Sequence, residues 1–188
     1  ACGFDGTEPV LDPMCGSGTF PIEAASWARG LAPGRARAFA FEKLAAYDRD
    51  RVAELQEAAS RKVMERFEGS DRDQGVIRMA AENAQRAGVA DLCTFACRPV
   101  RGLTRPEGRA GLVMVNPPYG ARIGQKGPLH ALHASLGTAL KDGFSGWRVG
   151  LVTSEPGLAR ATGLPFKPPG PPVPHGPLKI KLYQTGPL

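Results

Sequence analysis

The sequence predicts an α/β domain organised on a mostly parallel sheet. Two observations point to it. Apolar runs of strand length alternate with longer segments of helical period over most of the 188 residues. The first such run, ending in Asp12, passes through Gly16 and Gly18 into a helix, the turn by which a doubly wound sheet reaches a ligand at the carboxyl edge of its strands.

Taken in order, "PVLDPM" (9–14) is the first strand, and "TFPIEAASWARG" after it reads as a helix stopped at Gly30. "LAPGRARAFA" is a loop. From Asp50, the apolar positions Val52, Leu55, Ala59, Val63 and Phe67 recur near helical spacing with Arg61, Lys62 and Arg66 on other faces, which predicts an amphipathic helix. "RFEGSD" (66–71) is a short strand ending in an acid. "DQGVIRMAAENAQRAG" is a helix that turns Val76, Ile77, Ala80, Ala84 and Ala87 inward and stops at Gly88.

"LCTFAC" (92–97) and "GLVMVN" (111–116) are further strands. A helix follows whose core stripe is Leu129, Leu132, Leu136 and Leu140, and "GWRVGLVTS" (146–154) is a buried strand. Residues 165–177 crowd proline and glycine into a predicted loop before a last alternating strand, "LKIKLYQ". No internal repeat interrupts the pattern, and residues 1–188 read as one domain.

With 42% hydrophobic and 22% charged residues the chain falls among globular proteins. It carries no apolar run near the roughly 20 residues of a membrane helix and no leader-like start, so no membrane association and a cytoplasmic location are expected. The four cysteines read as reduced structural thiols, because "CTFAC" has the wrong spacing for a zinc knuckle. His130 and His133 could share a helix face, but no third ligand is near, so no metal is predicted. A formal charge of +6 and a pI near 9.4 fit either an anionic partner or a solvated surface.

Two stretches carry the chemistry. In "LDPMCGSGTF" the glycines let the backbone approach a ligand at a helix start, but a dinucleotide fingerprint would need a third glycine where Pro21 stands, and its ribose acid about 20 residues on. Asp12 is the wrong neighbour for a phosphate and suits a ligand with a positive amino group. S-adenosyl-L-methionine has one, together with a ribose diol that Asp71, at the end of the second strand, could bind. Asp71 could equally cap the helix that follows.

The second stretch, "MVNPPYGARIG" (114–124), ends a buried strand in Asn116, Pro117, Pro118 and Tyr119. Proline stops a strand and fixes the backbone before it. Against a sulfonium methyl donor, the Asn116 side-chain oxygen and the Pro117 carbonyl could accept both hydrogens of an exocyclic amine and free its lone pair for in-line attack. Tyr119 would stack on an unpaired or flipped base. No strong general base is needed, because methyl transfer itself makes the nitrogen acidic.

"LDPMCGSGTFPIEAA", "GSDRDQGVIRMAAENAQRAGV", "VNPPYGARIG" and "LHALHASLG" resemble the methyltransferase domain of THUMP-associated guanine-N2 RNA methyltransferases, especially the bacterial 23S ribosomal RNA type. The resemblance implies a Rossmann-like, seven-stranded fold with helices on both faces of the sheet, S-adenosyl-L-methionine as donor, and N2 of a guanine in ribosomal RNA as acceptor. Carried over by position, Asp12 with Pro13, Met14, Cys15, Gly16, Ser17, Gly18 and Thr19 holds the methionine part. Asp71 and Arg72 lie at the ribose, Pro99 at the adenine, and Asn116 to Tyr119 at the target amine and base, with Asn116 also beside the cofactor.

The chain departs from the family in two ways. Where the family usually has an acid after the third strand, this chain has Arg98 and Pro99, and no THUMP module is expected within residues 1–188. Arg35, Arg37, Arg61, Lys62, Arg122 and Lys126 are candidate phosphate contacts, with Arg122 and Lys126, next to the tetrapeptide, favoured for RNA. The tetrapeptide serves amine acceptors generally. Adenine N6 in DNA or RNA, a protein glutamine, and a non-catalytic cofactor-binding or ribosome-interacting domain remain alternatives.

Overall fold

The computed structural model describes residues 2–35, 37–59, 61–119 and 126–188, with the side chains of 56–59 and 126 excepted. Strands β1 (Val10–Asp12), β2 (Phe67–Asp71), β3 (Cys93–Cys97), β4 (Leu112–Val115), β5 (Arg148–Thr153), β6 (Val173–His175) and β7 (Leu178–Gln184) form one sheet of order β3-β2-β1-β4-β5-β7-β6. The first five are parallel, β7 pairs antiparallel with β5, and β6 pairs antiparallel with β7. From β1 the chain winds outward through β2 and β3, then returns to lay β4 on the other side of β1. That reversal opens a crevice at the carboxyl ends of β1 and β4.

Helices α1 (Thr19–Ala28) and α3 (Gln74–Arg86) cover one face, and α4 (Lys126–Gly143) and α5 (Pro156–Ala161) the other. The strands' period of two divides the core between them. Val10, Phe67 and Leu112, which stand in register across three strands, pack beneath α1 and α3. Leu11, Val113 and Val115 point the other way, toward Leu136 and Leu140 of α4. Both faces are apolar because the central strands are buried on both sides.

Three expectations are corrected. The helix predicted from Asp50 is α2 (Arg49–Ala59), and it ends before Val63 and Phe67. Phe67 is instead the fully buried first residue of β2, where pairing with Val10 and Cys93 outweighs its helical spacing. Leu55 of α2 stands 56% exposed, so this member of the predicted apolar stripe is not buried. The proline-rich 165–177 segment is not loop throughout, since Val173–His175 forms β6. Pro174 is tolerated there because β6 is an edge strand. The two-turn helix α5 was not anticipated; Pro156 sits at its start, where a missing N–H costs nothing.

Candidate functional site

The turn after β1 is held by its neighbours. Cys15 N–H donates to the Ser70 carbonyl at 2.9 Å, Gly16 N–H to Asp71 Oδ2 at 3.2 Å, and Asn83 Nδ2 of α3 to the Ser17 carbonyl at 2.9 Å. The first two tie the turn to the end of β2, and the third ties it to the helix that β2 feeds. Gly18, with φ of 85°, is the N-cap of α1, and a Cβ there would meet Ala80 and the Phe95 ring at 3.0 Å. Gly69 is required for a different reason: a Cβ on it would stand 2.7 Å from Phe95 and 2.9 Å from Cys15 Sγ.

Three carboxyl groups gather here, and each has its own partner. Asp12 is buried, with Oδ1 accepting from Met14 N–H at 3.0 Å. Burial pushes its carboxyl up to about 8; the Met14 hydrogen bond opposes that shift, and the charge of Asp71 adds to it. Asp71 is half-buried and accepts from Gly16 N–H and, at 3.1 Å, from Asp73 N–H. The cap of α3 is Asp73, whose Oδ1 accepts from Gly75 and Val76 N–H. Asp71 is therefore not the helix cap, and its carboxylate is left facing the crevice.

That crevice is a cleft of about 710 Å³. Of the positions assigned to a cofactor, Pro13, Met14, Asp71, Arg72 and Pro99 line it, and so does Pro118 of the tetrapeptide. Asp12 lies behind this wall, Cys15 and Gly18 are buried within the turn, and Gly16 and Ser17 are half-buried there; none of them lines the cleft. Thr19 is exposed at the start of α1. Burial pushes the Cys15 thiol up to about 12, with Asp12 and Asp71 adding to the shift, so it stays protonated and unreactive.

Asn116, the residue after β4, is exposed; Pro117 is buried, and Tyr119 is half-buried. Asn116 and Tyr119 do not line the cleft as Pro118 does. Arg122 lies outside the described residues, as does the side chain of Lys126.

The cleft also takes residues that the sequence reading did not assign to it. Val76 of α3, Val100 and Arg101 after β3, and Leu129, Leu132 and Ser135 of α4 line it. The leucine stripe of α4 divides: Leu136 and Leu140 are fully buried in the core, while Leu129 and Leu132 form an apolar wall of the cleft. The signal was present in the spacing, since the first turns of a helix that follows a strand-end motif must lie near that strand end. Arg98, which with Pro99 stands where the family usually has an acid, lines the cleft and donates Nη1 to Thr104 Oγ1 at 2.5 Å.

Residues 1–165 match the family described as RMKL-like, methyltransferase domain. A ribosomal RNA large subunit methyltransferase K/L of Vibrio campbellii is 42% identical over 162 residues, which is 81% of this chain and 23% of that protein. The chain thus spans under a quarter of the length of such curated relatives. The crystal structure of SMU.472 complexed with SAH superposes with a TM-score of 0.88 at 27% identity, over 99% of this chain and 50% of that one. A predicted N6-adenine-specific DNA methylase of Listeria monocytogenes gives 0.78 at 31% identity, over 96% and 47%. No helix among the described residues is long and apolar enough to cross a membrane. With the family's pattern running through most of its length and the sheet order that carries its cleft, the chain belongs to the RMKL-like methyltransferase domain family.

Proposed function

We propose that the cleft binds S-adenosyl-L-methionine and that the protein transfers its methyl group to an exocyclic amine of RNA, guanine N2 of ribosomal RNA being the acceptor. The observation that carries this reading is the meeting of three separate strand ends in one cavity: Met14 after β1, Asp71 at the end of β2 and Pro118 after β4. A volume of about 710 Å³ with apolar walls is right for a ligand of nucleoside size.

The residues fit the donor. Asp71 spends lone pairs on Gly16 and Asp73 N–H, and a carboxylate has capacity left for a ribose diol. Val76 and Val100 supply apolar contact at the adenine side, beside Pro99. Pro13 and Met14, at the start of the turn, border the methionine part, and Asp12 holds them in shape through Met14 N–H. Bound there, S-adenosyl-L-methionine supplies an electrophilic sulfonium methyl.

What the chain itself contributes is position. Asn116 through its side-chain oxygen and Pro117 through its carbonyl accept the amine's two hydrogens, while Pro118 keeps both in place and Tyr119 stacks on the base. The 42% identity to a ribosomal RNA methyltransferase supports RNA as the substrate class. The likeness to a predicted N6-adenine-specific DNA methylase favours one second reading, adenine N6, because both acceptors are amines conjugated to a ring.

One experiment separates these readings. The protein is incubated with tritiated S-adenosyl-L-methionine and unmodified total RNA, or DNA, and the product is digested to nucleosides and weighed. N2-methylguanosine is the expected product. N6-methyladenine would replace it with the second reading, and micromolar donor binding without any transfer would refute both.

A further inference from the structure

We infer that Arg72 and Arg101 form a phosphate-binding rim on the far side of the cleft from the tetrapeptide, gripping the RNA backbone beside the target nucleotide. This deepens the reading of the cleft as an RNA methyltransferase site and rests on it.

Arg29, Arg51, Arg86, Arg109 and Arg148 each stand against an acid. Arg98 lines the cleft but is tied to Thr104. Arg72 and Arg101 line the same cleft, both are exposed, and neither side chain makes an ion pair or hydrogen bond among the described residues. Asp71 and Asp73 flank Arg72 in sequence, yet among the described residues neither forms an ion pair with Arg72 or Arg101; Asp71 accepts from Gly16 and Asp73 N–H and Asp73 from Gly75 and Val76 N–H.

The donor's one anionic group, its methionine carboxylate, belongs at the start of the turn after β1, so beyond a ribose contact from Arg72 the two guanidinium groups after β2 and β3 meet no anion of the donor. They match a phosphodiester, whose planar pair of oxygens a guanidinium can engage with two parallel hydrogen bonds. Position supports the same partner. Arg72 follows β2 and Arg101 follows β3, whereas Pro118 follows β4 on the other side of β1. A base held at the tetrapeptide leaves its sugar-phosphate chain outside the cleft, and these two exposed residues stand at the cleft's other edge.

The test is the salt dependence of RNA binding, read by fluorescence anisotropy of a labelled, unmodified single-stranded ribosomal RNA fragment. Each phosphate contact contributes about 0.7 to the slope of log K against log salt for single strands. Arg72→Ala/Arg101→Ala is expected to flatten the slope by about 1.4 and weaken binding roughly ten-fold or more at low salt, and Arg101→Lys to retain most of the slope. Circular dichroism and thermal melting of the double variant, unchanged from the parent protein, show that it is folded. An unchanged slope in the double variant overturns the inference. So does arginine-dependent binding of a nucleoside monophosphate with RNA binding undiminished, which would make the site one for free nucleotides. Methyl transfer is scored separately: RNA gripped by these arginines but never methylated refutes the proposed reaction and leaves the rim standing.

Discussion

The strand ends after β1 and β4 face one cleft but keep their shape by different means. After β1 the restraint is tertiary: Ser70 and Asp71 of β2 and Asn83 of α3 each take or give a hydrogen bond to the turn. After β4 it is covalent, since Pro117 and Pro118 fix their own backbone and that of the residue before them. The difference teaches where each half of the site is vulnerable. The β1 side depends on residues far away in sequence, so damage to β2 or α3 reaches it. The β4 side carries its rigidity within four residues and should lose function only where its own polar groups are removed.

The largest expected effect tests the self-contained side. Asn116→Ala should cut single-turnover methyl transfer by about 10²–10³-fold, the usual loss for one positioned polar group at a developing charge. Donor affinity measured by calorimetry should not move. A comparable fall in donor affinity would mean that the two strand ends do not act separately.

The next effect belongs to the β1 side and follows pH. Burial holds the Asp12 carboxyl near 8, while the unfolded chain gives up that proton near 4. Between those values the native state retains a proton the unfolded state has lost, so stability falls as pH rises, by at most about 1.4 kcal/mol per pH unit, and the loss is complete above the native value. Urea melts at pH 5 and pH 8 should differ by roughly 2–4 kcal/mol from this group, and Asp12→Asn should remove that difference. Equal pH dependence in the two proteins would sink the assignment.

Gly69→Val sharpens the comparison by reaching the turn from β2. The added side chain must displace Phe95 or Cys15, at about 1–3 kcal/mol of stability by thermal melting, with weaker donor binding as a consequence. The smallest effect is that of Asn83→Ala, which removes one hydrogen bond to Ser17 and should cost about 0.5–1.5 kcal/mol and a few-fold in donor affinity. If Asn83→Ala is silent in both measurements, α3 does not brace the turn.

Much of this was legible in the sequence. The apolar runs that became β1, β4 and β5 could be read directly, because parallel strands buried on both faces have that composition, whereas β7 was read from its alternation. β6 could not: three exposed residues with a central proline look like loop until a partner strand is placed beside them. Phe67 fitted two periods at once, and only its register with Val10 decides between them. At the site, the acids of "GSDRD" were visible but their division of labour was not. Asp71 and Asp73 lie two residues apart, and three-dimensional geometry alone makes one the cap and leaves the other facing the cleft. The arginine rim was hidden for a similar reason, since Arg72 and Arg101 come from different loops.

β6 has a consequence for how the molecule behaves at high concentration. Without that strand, β7 would offer its outer margin to any neighbouring chain, an invitation to fibrous stacking. The short strand occupies that margin, and Pro174, which has no N–H, makes the new border a poor template for further growth. Replacing the proline with a good strand former would trade solubility for a tidier border.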